Sequence, residues 1–167
     1  MTRFPDGVPG HLREFLGKHG LDIDFVAPGV PMPTVLTAAA AVGVSAELIL
    51  KTLLFVDDGG AYVVAIANGT HRIDRNRLAE AAALRRPRPA DPTVVMAVTG
   101  YPAGGVAPLG LPSSLPVVVD AATAALTTAF GGGGLEHLLL RVQISDVIRC
   151  NNALVADITE HPEPASP

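Results

Sequence analysis

The sequence predicts one α/β (α+β) domain, a mixed sheet flanked by short helices, and three observations predict it. The chain has 167 residues, within the roughly 100–200 of a single domain. It is 49% hydrophobic and 17% charged, too apolar to stay disordered and rich enough to build a core. Apolar runs of strand length alternate irregularly with short amphipathic segments and Gly/Pro loops, which suits a mixed sheet better than a regular βαβ series. Aromatic residues are only 4% of the chain, with no tryptophan, so alanine, valine and leucine must fill the core.

The elements follow in chain order. Residues 10–19 place Leu12, Phe15, Leu16 and His19 on one face of a first helix. Residues 22–26 alternate as a short strand. The proline-bearing stretch 28–33 reads as a rigid connector. Thr34 caps a small-residue helix through Ala41 that Gly43 stops, and Ser45-Ala46-Glu47-Leu48 reads as a further helical turn. Residues 49–56 form a buried strand, Asp57-Asp58-Gly59-Gly60 is turn chemistry, and residues 61–67 complete a hairpin. Asp74 caps a helix through Leu84, ended by Pro87 and Pro89. Asp91-Pro92 opens a helix to about Thr99. Residues 100–116 are a Gly/Pro loop, and Val117-Val118-Val119 is a strand ending at Asp120. Residues 121–130 are ambiguous between helix and strand, and Gly131–Gly134 is a glycine run. Residues 137–142 read as a strand, 145–149 as a helical turn and 153–158 as a last strand. Domain bounds of 1–160, followed by a loose tail 161–167, complete the expectation.

Composition narrows the function classes. The formal net charge is −4, whereas proteins that coat nucleic acid through its backbone are usually basic. DNA binding is therefore not expected, although one local contact with a nucleic-acid end is compatible with this balance. Cys150 is the single cysteine, so an internal disulfide is ruled out and multi-cysteine zinc patterns are absent. The other histidines, His11, His19, His71 and His161, form no ligand spacing with it or with one another, and no cofactor is expected. Prolines break the longest uncharged stretches, so neither offers the ~20 residues of a membrane helix. The opening residues Met1-Thr2-Arg3-Phe4-Pro5-Asp6 lack the apolar run of a secretory signal. The default expectation is a reducing, cytoplasmic setting.

Four features could carry chemistry. Lys51 is one of two lysines and sits inside an aliphatic strand. It is either a strand lysine snorkelling to solvent or a cation presented to a ligand anion or carbonyl. The loop Gly100-Tyr101-Pro102-Ala103-Gly104-Gly105-Val106-Ala107-Pro108-Leu109-Gly110 lets backbone approach a ligand and, held stiff by its prolines, could aim N–H groups at a developing oxyanion. No Gly-Lys-Ser/Thr follows, so it is not a phosphate loop. Asp120 ends a strand, where an acid either caps a helix or orients a ligand, and His137 lies four residues after Gly133. Arg72, Arg75, Arg77, Arg85, Arg86 and Arg88 make one basic cluster, either a solvated helix face or a dock for phosphates. A nucleophile elbow is missing, and Cys150 has no evident histidine partner.

Taken together, Leu50-Lys51-Thr52-Leu53, Thr99-Gly100-Tyr101-x-x-Gly104-Gly105-x-x-Pro108-x-Gly110, Val118-Val119-Asp120 and the late glycine turn resemble the YbaK family. These are aminoacyl-tRNA deacylases related to the editing insertion domain of prolyl-tRNA synthetase. The resemblance runs from about Leu12 to Ile158 and implies a compact domain with a barrel-like mixed sheet. It implies hydrolysis of the ester of a small mischarged amino acid, of the Ala, Cys or Ser class, on tRNA(Pro), with that tRNA and prolyl-tRNA synthetase as partners. It carries Lys51, Asp120, Gly133 and His137 over as catalytic, and Thr52, Gly100, Tyr101, Gly104, Gly105 and Pro108 as substrate-binding. Ala107 departs from the family pattern, standing where many relatives have serine. The alternative is a non-catalytic module of the same fold that binds a nucleotide or aminoacyl ligand.

Overall fold

The computed structural model describes residues 4–161. The first helix, α1 (Gly10–Lys18), buries Leu12 and Leu16 along one stripe, one turn apart. Strand β1 (Asp24–Val26) follows. Helix α2 (Val35–Val42) opens on a capping box in which the Thr34 hydroxyl accepts the Thr37 N–H at 3.1 Å, and the Thr37 hydroxyl accepts the Thr34 N–H in return. It ends at Gly43, whose φ of 77° is the left-handed stop that glycine adopts without strain. A 3-10 turn at Ala46–Leu48 leads into the central hairpin of β2 (Leu50–Val56) and β3 (Tyr62–Asn68). Asp57 fixes the hairpin turn, its carboxylate accepting from the Gly59 and Ala61 N–H groups.

Helix α3 (Arg75–Ala82) is capped by Asp74, which accepts from Asn76 and Arg77. It stops two residues before the expected Leu84, because Ala83 already turns left-handed at φ 54°. A two-residue strand, β4 (Arg88–Pro89), lies where the prolines suggest only a break. Helix α4 (Pro92–Thr99) has proline in its first turn, and the Asp91 side chain forms no cap bond. Strand β5 (Val117–Asp120) is wholly buried. The ambiguous stretch resolves into both forms, a short helix α5 (Ala121–Ala124) and then strand β6 (Thr128–Gly132). Strand β7 (Leu139–Gln143), helix α6 (Ile144–Cys150) and strand β8 (Leu154–Ala156) complete the chain. The expected loose tail falls outside the described residues, apart from His161.

The described strands form two sheets, in the orders β1-β7-β6 and β4-β2-β3-β5-β8. Pairings β3–β5 and β5–β8 are parallel and the others antiparallel, so the sheet is mixed as expected. The barrel implied by the resemblance is not closed. A single parallel bridge between Ile49 and Phe130 joins the two sheets, and no ladder continues beyond it. Alternation along the central strands sends Leu50, Leu54, Val64, Ile66, Val117 and Val119 into the main core. The opposite face puts Phe55, Val63, Ala65 and Val118 against Leu78 of α3.

A third, smaller cluster matters most for the site. Ala38 and Ala39 of α2 pack on Ile49, Phe130 and Leu139. Their small side chains let the helix lie close over the junction of the sheets. The residues after that junction are left facing a gap.

Candidate active site

The gap is a cavity of about 170 Å³ lined in part by Leu50, Lys51, Thr52, Gly104, Val106, Gly132 and Glu136, with Val35 and Ala38 of α2 forming one wall. It exists because one edge of β2 is only half covered. Strand β4 pairs with β2 at Phe55 and Val56 alone, and the Leu54 carbonyl accepts the Ala90 N–H at 2.9 Å. In an antiparallel ladder alternate residues turn their peptide groups to the same neighbour. The peptide groups of Thr52 therefore face that edge too, where no strand is paired.

Thr34, Lys51, Thr52 and Glu136 are the polar side chains of the lining. The Lys51 ammonium has no ion-pair partner among the described residues. The Thr52 side chain is 7% exposed, and its hydroxyl is buried without a hydrogen-bond partner. An unsatisfied buried hydroxyl costs about 1–3 kcal/mol, and this one belongs to a residue of the cavity lining.

A second, wider opening of about 670 Å³ adjoins the first, lined by residues 29–33 together with Gly104, Glu136 and His137. Met32, Gly104 and Glu136 line both spaces. The small cavity and the wide one thus adjoin at these three residues, two parts of one cleft region. His137 stands in the wide part, exposed to solvent.

The glycine loop contributes less bare backbone than its composition suggests. Gly100 donates its N–H to Met96, Gly105 to Pro102, Gly133 to Leu138 and Gly134 to Gly105, each at 2.8–3.0 Å. The Tyr101 N–H goes to the Thr99 hydroxyl. Gly104 differs: it lines the cavity and its N–H has no partner among the described residues. The other glycines serve close packing instead. A Cβ on Gly105 would come within 2.7 Å of the Leu135 carbonyl carbon, and one on Gly132 would collide with the Val106 carbonyl oxygen. The two glycine segments are pressed together, backbone against backbone, and Gly104 lines the same cavity as Lys51.

Tyr101 is fully buried and serves as the loop's internal brace. Its hydroxyl donates to the Leu109 carbonyl at 2.8 Å, its ring packs on His11 with centroids 4.5 Å apart, and burial pushes its phenol far above the ordinary range. Pro108 packs against the position of a Gly131 Cβ, and its carbonyl accepts from Asn151 at 2.7 Å. Gly100 and Tyr101 thus support the loop from behind, and neither lines the cleft. Ala107 is fully buried and likewise outside the lining, so a hydroxyl missing there takes nothing from the cavity.

Asp120 lies apart from this cleft. It is two strands across the sheet from Lys51, with β3 between, a separation of roughly 10 Å at the usual strand spacing. Its carboxylate is fully engaged, accepting from the Ile158 N–H at 3.0 Å, the Ala122 N–H at 3.3 Å and the Thr159 hydroxyl at 3.4 Å. Its place here is that of a buried tie between β5, α5 and the end of the chain. The helix-cap alternative for a strand-end acid describes it, and the catalytic part implied by the resemblance does not fit this geometry.

The arginine cluster also takes another form. Arg86 and Arg88 are paired with Asp58, Arg77 with Asp74 and Asp157, and Arg72 with Glu160. Four of the six are thus paired, in two places, and Arg75 and Arg85 take part in none of these ion pairs. Cys150 is half-buried, and burial pushes its thiol up, away from the thiolate. Among the described residues no group of three or more His, Cys, Asp or Glu side chains is placed to hold a metal ion. No described helix is long and apolar enough to cross a membrane.

Sequence reasoning missed Glu136 and the wall formed by residues 29–33. Glu136 is an ordinary charged residue in a turn. The wall has the composition of a connector, and the apolar Val30 and Met32 set among its prolines were the available signal.

Comparison with known proteins places this cleft in context. The family model described as an aminoacyl-tRNA editing domain matches residues 30–150. YwhH of Bacillus subtilis, an uncharacterised protein, is 32% identical over 62% of this chain and 66% of its own length. A proline–tRNA ligase of Pelobacter propionicus is 28% identical over 64% of this chain, a match that spans only 19% of the ligase. EbsC of Enterococcus faecalis, named as a candidate Cys-tRNA(Pro)/Cys-tRNA(Cys) deacylase, is 24% identical over 74% of this chain and 75% of its own length. The solved structure of a candidate trans-editing enzyme for prolyl-tRNA synthetase superposes with a TM-score of 0.82 at 26% identity, covering 95% of this chain and all of that one. With its fold and most of its length matched, the chain belongs to the aminoacyl-tRNA editing domain family.

Proposed function

We propose that this protein is a hydrolase that removes a small mischarged amino acid, of the Ala, Cys or Ser class, from the 3′ end of tRNA(Pro). The observation that carries this reading is that Lys51, whose ammonium is in no ion pair, Thr52, whose hydroxyl is unpartnered, and Gly104, whose N–H is not bonded among the described residues, line one small cavity. At about 170 Å³ it is close to the roughly 150 Å³ that admits a benzene-sized guest. A short side chain fits it, and the adjoining 670 Å³ opening has room for the terminal nucleoside.

The chemistry asks for little more. An aminoacyl ester is already activated. Water adds to the carbonyl carbon, the bond to the ribose oxygen breaks, and the proton released from water ends on that oxygen. Free amino acid and deacylated tRNA result. Charge that develops on the carbonyl oxygen would face Lys51 and the Gly104 N–H in a pocket shielded by Val35, Ala38 and Val106. Selection by size is modest, since one methylene is worth about 1–3 kcal/mol, so several small side chains are accepted together.

The test is deacylation of Ala-, Cys- and Ser-tRNA(Pro) by the wild type and by Lys51→Ala. The expected result is discharge of at least one of them by the wild type. A loss of about 100-fold in Lys51→Ala, with an unchanged melting curve, is expected alongside. A wild type that discharges none of the panel overturns the proposal, and stabilisation by a nucleotide or aminoacyl analogue without turnover would then favour a binding module.

A further inference from the structure

The small cavity holds two opposite charges that do not meet. Lys51 and Glu136 both line it, yet no ion pair joins them, and neither has another partner among the described residues. Several charged side chains elsewhere are paired, including Arg77 with Asp157 and Arg149 with Asp146. Glu136 also borders the wide opening together with His137, so its carboxylate stands where the two spaces join. It lies over the backbone of Gly104, where a Cβ would come 3.7 Å from Glu136 Oε1.

A cation and an anion kept apart on one cleft fit a ligand that carries both charges at a fixed separation. An aminoacyl ester does so. Its α-ammonium is one carbon from the reacting carbonyl, on whose oxygen negative charge develops as water adds. A neutral ligand would complement neither charge, and a purely anionic one would be repelled at Glu136. We infer that the Glu136 carboxylate receives the α-ammonium of the aminoacyl group and so restricts the protein to esters with a free amine. This rests on the proposed hydrolase reading. Glu136 is exposed and its carboxylate supports nothing else among the described residues, so its charge is available for this role.

The experiment compares kcat/KM for whichever of the three aminoacyl-tRNAs the wild type discharges with its N-acetylated counterpart, in the wild type, Glu136→Gln and Glu136→Asp. The expected wild-type preference for the free amine is about tenfold or more, as a charge-assisted contact gives. In Glu136→Gln that preference falls to within about threefold, through loss on the free-amine substrate, and Glu136→Asp restores part of it. Melting curves of the three proteins coincide. An active wild type whose preference is absent, or survives unchanged in Glu136→Gln, overturns the inference and leaves the hydrolase reading standing. A wild type inactive on every free-amine ester overturns both.

Discussion

Asp120 and Glu136 are both carboxylates, one at a strand end and one in a turn, and the fold uses them in opposite ways. Asp120 is 1% exposed, and backbone N–H groups from α5 and from the end of the chain converge on it. Glu136 is exposed at the mouth of a cleft and bonded to none of the described residues. The same contrast separates the cations. Arg77, Arg86 and Arg88 are held by acids, whereas Lys51, in the cavity lining, is in no ion pair among the described residues. Charged groups that the fold has satisfied hold the structure together, and the ones it leaves unsatisfied around a cavity are those available to a ligand.

The contrast can be broken most forcefully at Asp120. Asp120→Ala strips the acceptor from the buried Ile158 N–H and the cap from α5, at a cost of about 3 kcal/mol. Denaturant unfolding should show it as a lower midpoint with an unchanged slope. A smaller effect is expected where the two glycine segments touch. Gly132→Ala places a methyl against the Val106 carbonyl, costing about 1–3 kcal/mol through overpacking. Because the same shift moves Val106 and Gly104 in the cavity wall, deacylation should fall along with the melting temperature.

The smallest effect sharpens the comparison through pH. The His11 ring is packed on Tyr101 behind the loop, its Nε2 buried without a partner. Burial holds its pKa below the ordinary 6.5, partly opposed by Glu14. The unfolded chain therefore binds a proton more readily than the folded one. This contribution to stability is full above the unfolded pKa and is lost as pH falls through the folded value. Unfolding free energy should decline as pH falls below 6.5, and His11→Gln should flatten that decline without altering the plateau of deacylation.

Much of the fold was legible because local signals agreed with tertiary packing. Thr34 and Gly43 bound α2, Asp74 caps α3, and the Asp57–Gly60 turn closes the hairpin, each through chemistry visible in the sequence. Where two signals competed, the reading was less complete. Residues 121–130 hold a four-residue helix and a strand together, and Gly131 and Gly132 belong to that strand, because a glycine face is what admits the Val106 backbone and Pro108. Arg88–Pro89 pairs at an edge where proline needs no ladder donor. At the site, Lys51 stood out because a lysine in an aliphatic strand needs a reason. Glu136 did not, since an acid in a turn needs none, and only the cavity's geometry distinguishes it. The engagement of Asp120 by Ile158 and Thr159 depends on contacts across 38 and 39 residues, which no local pattern reveals.

The central claim is that reaction chemistry belongs to the half-covered edge of β2. Deacylation by Lys51→Ala and Asp120→Ala, measured side by side and normalised to folded protein, addresses it most directly. The account predicts a loss of about 100-fold for Lys51→Ala and near wild-type turnover per folded molecule for Asp120→Ala. The reverse pattern, an active Lys51→Ala and a folded but inactive Asp120→Ala, would contradict it.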